Sequence, residues 1–177
     1  MQYIQKRSFI ATLTSVTPGY EGILDSVEVG SPSKRKNAWL TVASPYHVVT
    51  QQRFWFGYFD GKNAGYQVRT VESDSGDSHY SIWDLSTNNY VGYYVKSTNP
   101  VLWGVRVDGA KIGEPERRVY EGVTLEAPSK ELFGVRTRKS WEDHYVEVDA
   151  PNKLLIRMDV MEVNVPLFDQ YSKFLRR

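Results

Sequence analysis

The side chains that carry out chemistry in enzymes are scarce in this sequence and lie far apart along it. Histidine occurs at His47, His79 and His144, without the His-x-His or His-x-x-x-His spacing that suits a metal ion. Cysteine is absent, which excludes disulfides, thiolate zinc sites and cysteine nucleophiles. No Gly-x-Ser-x-Gly turn presents a nucleophilic serine. We therefore predict a protein that is not an enzyme, with no catalytic residues, no metal and no cofactor; a triad assembled by folding is the alternative.

Two acidic segments are the remaining candidates for chemistry. Residues 72–79, Glu-Ser-Asp-Ser-Gly-Asp-Ser-His, offer oxygen ligands but lack the spacing and the closing glutamate of an EF-hand. We interpret them as a solvated loop, with a cation site over 72–77 as the alternative. Residues 141–144, Trp-Glu-Asp-His, place two carboxylates side by side, whereas a glycosidase needs them to face each other across a cleft. We interpret this segment as a loop that enters a strand.

The charge balance limits the partners that this chain attracts. Its 22 basic and 21 acidic residues leave a net charge of +1, so no overall field draws nucleic acid or a membrane surface. The basic run at 33–37, Ser-Lys-Arg-Lys-Asn, is interpreted as a solvated loop or as a contact with an acidic neighbour. No apolar run approaches the ~20 residues that span a bilayer. We expect a soluble protein, made in the cytoplasm without a signal peptide, that binds no specific nucleic acid.

Alternating apolar and polar residues predict the elements that would position any site. In 153–163, Leu154, Ile156 and Met158 alternate with polar residues, which is the period of a half-buried antiparallel strand. About a dozen such segments recur at the spacing of sandwiches and barrels. We predict one all-β domain over 1–177, an antiparallel β-sandwich or barrel, with a β-trefoil as the alternative. The segments centre near residues 3–14, 22–29, 37–43, 52–59, 65–72, 79–85, 90–96, 101–108, 118–126, 131–138, 143–149 and 153–163.

Turn and helix signals mark the ends of these segments. Asp60-Gly61 and Asp108-Gly109 predict tight hairpin turns, because glycine accepts a positive φ without penalty. Pro166 suits a first helical position and opens a short amphipathic helix over about 166–175. A helix of ~10 residues is marginal alone, so its stripe is expected to dock on the sheet or on another subunit. The stripe consists of Leu167, Phe168, Tyr171, Phe174 and Leu175.

Aromatic residues are the most conspicuous part of the predicted strands. In 53–59 they fall on both faces of the strand. At least one face must be buried, because monomers avoid large exposed apolar patches. One face is core. The other is a sandwich interior, a surface on which sugars stack or a contact between subunits. The candidate interface or ligand-stacking residues are Trp55, Tyr58, Trp83, Tyr90, Tyr93 and Tyr94.

The order of the last elements resembles that of phage tail-tube proteins from contractile tails. A strand at 144–148 is followed by a strand at 154–160 and then by the predicted helix from Pro166. The resemblance covers about a sixth of the chain and departs from the family at Ala150-Pro151-Asn152, where a glycine is common. It implies a structural virion protein whose subunits stack as hexameric rings.

Two classes of function follow from these observations. The first is a non-enzymatic structural protein that self-assembles as a homo-oligomer through β-sheet surfaces, within a virion if the resemblance holds. The alternative is a carbohydrate-binding module or lectin that stacks a glycan on exposed Trp and Tyr, with Asp84, Asn88 and Asn89 as hydrogen-bonding groups. A membrane-active toxin is a third possibility, since Tyr and Trp also suit bilayer interfaces.

Overall fold

The computed structural model describes residues 1–26, 38–43, 51–71, 81–94, 97–137 and 144–168. Within these ranges the predicted all-β, antiparallel fold is confirmed, with fifteen strands and one three-residue 3-10 helix, Gln5–Arg7. Several strands are shorter than the segments predicted for them. The strands are β1 (Gln2–Tyr3), β2 (Phe9–Ser15), β3 (Gly22–Asp25), β4 (Thr41–Ala43), β5 (Phe54–Asp60), β6 (Gly65–Thr70), β7 (Ile82–Leu85), β8 (Val91–Tyr94), β9 (Gly104–Val107), β10 (Ala110–Lys111), β11 (Val119–Glu126), β12 (Phe133–Thr137), β13 (His144–Val148), β14 (Asn152–Lys153) and β15 (Ile156–Val163).

The sheet divides at β2. One edge of β2 pairs with β15 along its whole length. The other edge is shared, because residues 9–11 pair with β5 and residues 14–15 pair with β3. At the division, Gln51 Nε2 donates to the Leu13 carbonyl at 3.2 Å and to Thr14 Oγ1 at 3.3 Å. A side-chain amide thus supplies a hydrogen bond at the point where the two branches separate.

The two branches form the layers of a sandwich-like fold. One branch runs β5-β6-β7-β8, and the other runs β3-β4-β13-β12-β14. They approach each other again around Leu40, whose N–H donates to Val91 O and whose carbonyl accepts from Val146 N, both at 2.9 Å. On the far side of β2 the sheet continues through β15, β11, β9 and β10. Tyr66 and Trp103 exchange backbone hydrogen bonds of 2.8 Å, which attach β6 to the segment before β9.

Most inward-facing apolar side chains belong to one core. Phe9 and Phe56 stack in it with ring centroids 4.7 Å apart, and Trp83 and Trp103 each lie edge-on or tilted against Phe133. A smaller cluster lies on the opposite face of β2 and β5. Its buried members are Ile10, Trp55, Val71 and Val165, and Tyr3, Phe59, Leu167 and Phe168 pack against them.

The local predictions have mixed outcomes. Asp108 and Gly109 both have positive φ, 49° and 80°, in the two-residue loop between β9 and β10, as a type I′ turn requires. The single strand predicted over 3–14 is wrong, because the 3-10 helix interrupts it. Ser8 explains the interruption: its hydroxyl donates to the Ile4 carbonyl and accepts from the Tyr58 N–H, both at 2.9 Å. This side chain replaces backbone pairing where the chain bends.

The predicted C-terminal helix does not begin at Pro166. Residues 165–167 have no regular secondary structure and Phe168 lies in a turn, while the rest of the predicted helix, including Tyr171, Phe174 and Leu175, lies outside the described residues. The segment is instead held by side-chain donors, since Tyr3 Oη donates to the Val165 carbonyl at 2.6 Å and Trp55 Nε1 to the Pro166 carbonyl at 3.2 Å. We call Val165–Phe168 the C-terminal strap.

Candidate functional site

Trp55, the first predicted contact residue, lies under the C-terminal strap. Its indole covers Gly57, where a Cβ atom would overlap the Trp55 ring. Tyr3 stacks on it at a centroid distance of 6.0 Å, and Phe168 of the strap approaches to 5.7 Å. The second aromatic face of β5 is therefore covered by the two ends of the same chain. Leu167 and Phe168 pack against this cluster, so the described part of the predicted stripe docks on the sheet.

Most of the candidate contact rings are buried within the chain. Five of the six candidate rings have 9% exposure or less, so little of each ring is open to a sugar or a neighbouring subunit. Tyr58, Trp83 and Tyr93 are buried in the main core, and Trp55 is buried under Tyr3 and the strap. Tyr90 packs edge-on against Trp39 and Tyr145. The buried rings are those of Trp55, Tyr58, Trp83, Tyr90 and Tyr93.

Tyr94 is the sixth candidate and is partly exposed. Its ring lies over Gly92, where a Cβ atom would meet Tyr94 Cε2 at 2.9 Å. Partial burial and the nearby Asp84 carboxylate raise the pKa of the Tyr94 hydroxyl. Asp84 itself accepts hydrogen bonds from Ser97 Oγ at 2.6 Å and from the Leu85 N–H at 2.8 Å. This corner therefore offers one ring and a carboxylate that already has two donors.

Of the histidines, His144 is the one that lies within the described residues. Its ring packs edge-on against Tyr20 at 5.1 Å, and its Nδ1 lies 3.0 Å from Thr137 Oγ1. Across the described ranges, no group of three or more His, Cys, Asp or Glu side chains is placed to hold a metal ion. His47, His79, the acidic loop 72–77, the basic run 33–37 and residues 141–143 lie outside the described residues.

A cleft of about 670 Å³ has one of the predicted contact residues, Tyr58, in its wall. It lies between the β5–β6 hairpin turn, the segment leading into β9, and the β11–β12 turn. Tyr58, Tyr66 and Ile112 form part of its walls, with Arg7 among them. This volume falls in the range of small-molecule sites, about 300–1,000 Å³, so the cleft is a candidate site. We call it the Arg7 cleft.

Arg7 is the most constrained charge in this cleft. Its guanidinium carbon lies 3.6 Å from the centroid of the Tyr58 ring, in cation–π geometry. Nη2 donates to the Ile112 carbonyl at 2.9 Å, which fixes the plane of the group. Nε is buried and, among the described residues, has no hydrogen-bond partner. The 3-10 helix that ends at Arg7 delivers this side chain inward from the start of β2.

Tyr66 adds a buried hydroxyl beside Arg7. Burial raises the pKa of this phenol above its ordinary value of 10.0, although the Arg7 charge opposes the change. The phenol is therefore neutral at physiological pH and keeps its proton as a hydrogen-bond donor. Tyr58 packs edge-on against Tyr66 at 5.0 Å, so two phenol rings and one guanidinium form a single contact unit.

Glu126 is the acidic residue among the described residues that line the cleft, and it is already paired. Its side chain is 4% exposed and accepts from Arg106 Nε at 2.7 Å and from Arg106 Nη2 at 3.3 Å, with Lys130 Nζ 3.6 Å away. It occupies the space over Gly104 on the neighbouring strand, where a Cβ atom would overlap it. The carboxylate therefore neutralises Arg106 and Lys130 rather than Arg7.

Comparisons of this chain with models of protein families, with curated proteins and with solved structures find no match. In the part of the chain that the structure describes, no helix combines the length and apolar character needed to cross a bilayer. The sequence contains no signal for the Arg7 cleft, because Arg7, Tyr58 and Ile112 come from distant positions and carry no shared spacing.

Proposed function

We propose that this chain is a non-enzymatic structural protein that associates with further copies of itself through one face of its sheet. The face is formed by the outward side chains of β2, β15 and β11, and we call it the outer face. Cross-strand register places these side chains together, because Thr12 and Val119 both pair with Asp159. The outer face consists of Thr12, Thr14, Val16, Val119, Glu121, Leu155, Arg157, Asp159 and Met161.

The observation that carries this proposal is where the exposed aliphatic side chains lie. Leu155 is 41% exposed, Val119 and Met161 are each 37% exposed, and Val16 is 36% exposed. Of the six large apolar side chains that are exposed in the described residues, these four share the outer face. Apolar side chains gathered on one face favour burial against another surface.

The charges of the outer face favour a second copy as the partner. Glu121 and Arg157 lie 3.2 Å apart in the middle of the face, and Asp159 follows on the same strand. A face that carries both signs is able to complement itself across a two-fold axis, where each group meets its counterpart. Within the described ranges, the terminal strands β1, β10 and β14 have two residues each, and such short edges discourage strand addition. The fourth terminal strand, β8, has its other edge hydrogen-bonded to Ala38 and Leu40. Association is therefore proposed through the face.

The test is sedimentation velocity over a wide concentration range on the wild type and on the double variant Val119→Asp/Met161→Asp. We expect the wild type to associate and the variant to lose about a hundredfold or more in affinity, because burying an unpaired carboxylate costs several kcal/mol. Asn88→Asp is the matched control, since it adds a carboxylate in the exposed turn between β7 and β8. A wild type that stays monomeric, or a double variant that associates normally, would contradict the proposal.

A place in a phage virion is the more specific form of this proposal. It is supported by the order of two strands, β13 before β15, whereas the helix that follows in the family does not begin at Pro166 here. The two strands have separate partners, since β13 pairs with β12 and β4 while β15 pairs with β2 and β11. Negative-stain microscopy tests this form directly: rings or tubes support it, and compact particles without cyclic symmetry argue against it.

Carbohydrate binding is the second candidate, and it depends on Tyr94. The observation in its favour is a partly exposed ring beside the Asp84 carboxylate. If a sugar stacks on this ring, Tyr94→Ala abolishes the signal on a glycan array while Tyr94→Phe, which keeps the ring, retains it. An array without signal, or one unchanged by Tyr94→Ala, would remove this candidate.

A further inference from the structure

Arg7 is a partly buried cation that the described chain leaves without a carboxylate partner. It contacts the Tyr58 ring and the Ile112 carbonyl, which orient the guanidinium but do not neutralise its charge. A buried charge is normally paired, because transfer out of water is costly unless an opposite charge compensates. The geometry therefore presents a fixed positive group at the wall of a cleft.

The rest of the cleft has the same sign. Lys62, Lys111 and Lys130 line it together with Arg7, and Glu126 is the acidic side chain among the described lining residues. Lys130 and Arg106 already pair with Glu126, whereas Lys62 and Lys111 have no ion pair within the described ranges. Like charges that line a concave surface concentrate an anion there, because the low-dielectric walls focus the field.

The walls of the cleft add an apolar component. Tyr58, Tyr66, Val101 and Leu102 contribute rings and aliphatic groups, and Asn63 contributes an amide. A ligand that fits this lining has an anionic group for the cations and an apolar body for the walls. Arginine suits the anionic group, since its planar array of N–H donors matches the oxygen pair of a carboxylate or phosphate.

We propose that the Arg7 cleft binds a small organic anion, a carboxylate or phosphate monoester with an apolar or aromatic body. Arg7 holds the anionic group, Lys62 and Lys111 raise its local concentration, and Tyr58 and Tyr66 contact the body. None of the residues that line the cleft belongs to the outer face, so this proposal does not depend on self-association.

The test is titration of the ¹⁵N-labelled protein with benzoate, phenyl phosphate and the neutral isostere benzamide, followed by amide chemical shifts. We expect saturable shifts for at least one anion, centred on the cleft segments 61–66 and 98–105. Benzamide is expected to bind at least tenfold more weakly, because charge-assisted hydrogen bonds are about twice as strong as neutral ones. A titration with inorganic phosphate shows whether an anion without an apolar body also binds to the cleft.

Variants then locate the charge that matters. Arg7→Gln is expected to weaken binding about tenfold or more, and Lys62→Gln/Lys111→Gln about threefold to tenfold. Lys6→Gln is the matched control, since Lys6 neighbours Arg7, carries the same charge, is 68% exposed and pairs with Glu114 at 2.6 Å outside the cleft. Affinity is expected to stay within about twofold in this control.

Three outcomes would overturn the proposal: no saturable shift with any anion, benzamide binding as tightly as benzoate, or Lys6→Gln weakening binding as much as the cleft variants do. Arg7→Gln loses the Tyr58 and Ile112 contacts and could unfold for that reason. In that case the affinity of the double variant Lys62→Gln/Lys111→Gln tests the proposal, because both lysines are exposed.

Discussion

At the scale of single residues, Glu126 shows how a carboxylate is retained inside a β-sandwich. Burial alone would raise its pKa, but the hydrogen bonds and charge of Arg106, together with Lys130, outweigh burial and lower the pKa below its ordinary 4.5. Its position over Gly104 depends on the missing side chain of that glycine. The ionised carboxylate therefore joins β11 to β9 at the end of their paired region.

The lowered pKa of Glu126 makes stability depend on pH. A carboxylate with a lowered pKa in the folded state contributes stability above its unfolded pKa and loses it as the pH falls through the folded value. When the pH is lowered below 4.5, we expect the urea midpoint of the wild type to decrease by more than the midpoint of Glu126→Gln. The glutamine side chain has no proton to gain in this range. Urea titrations at pH 7 and pH 3 measure this difference.

Glu116→Gln is the control for that experiment, because Glu116 is exposed and lies 3.9 Å from an exposed Arg118. Its midpoint is expected to follow the wild type at both pH values. Equal acid sensitivity of the wild type and Glu126→Gln would show that other carboxylates govern the response.

The aromatic residues show how far residue-level prediction reaches. Alternation correctly predicts that 53–59 carries rings on both faces, because the side-chain direction in a strand is fixed by position. It does not predict what covers the second face, since Tyr3 and Phe168 come from the two ends of the chain. For the same reason the Arg7 cleft was not predicted: its residues meet through pairing of distant strands.

At the scale of elements, the C-terminal strap acts as a cover for the back of β5. Val165 is fully buried, and its N–H donates to the Ser8 carbonyl at 3.3 Å. Arg69 lies over Phe168 at 5.7 Å, and burial lowers the pKa of that guanidinium. The strap therefore completes a small second core with residues from β1, β2 and β5.

Removing methyl groups under the strap is expected to cost stability. Val165→Ala should lower the free energy of unfolding by about 1 to 3 kcal/mol, because it leaves a cavity in the smaller cluster. Val163→Ala is the matched control, two residues earlier, with a side chain that is 37% exposed. That change should cost about 0.5 kcal/mol or less. Urea unfolding measures both, and equal losses would show that the strap is not a packed element.

Among elements, strands are predicted better than their ends or partners. Period-two patterns predict most of the long strands, and Asp-Gly predicts the β9–β10 turn. The two-residue strands β10 and β14 were not predicted, because so few residues show no alternation. The division of the sheet at β2 depends on which partners occupy each half of its edge, and the sequence of β2 contains no such information.

At the scale of the whole molecule, every described strand belongs to one hydrogen-bonded sheet. The branch β5-β6-β7-β8 and the branch β3-β4-β13-β12-β14 both join β2 and share the main core. Loss of pairing in one branch exposes the inner side of the other. If the chain is a single domain over 1–177, as predicted, we expect it to unfold in one cooperative transition.

Two valine variants test this cooperativity. Val91 lies in β8 and Val135 in β12, and both are fully buried in different branches. We expect Val91→Ala and Val135→Ala each to shift the same transition, by about 1 to 3 kcal/mol. Far-UV and near-UV circular dichroism should coincide in both variants. Separate transitions for the two signals would indicate that the branches unfold independently.

The contact between Tyr3 and Val165 joins positions 162 residues apart in the chain. During translation at roughly 5–20 residues per second, the segment that forms β2 waits about 7–30 s before its partner β15 leaves the ribosome. Throughout that interval the longest central pairing of the sheet is missing, and the apolar side chains of β2 and β5 remain accessible to chaperones. The central pairing of the sheet therefore forms only after β15 has been synthesised.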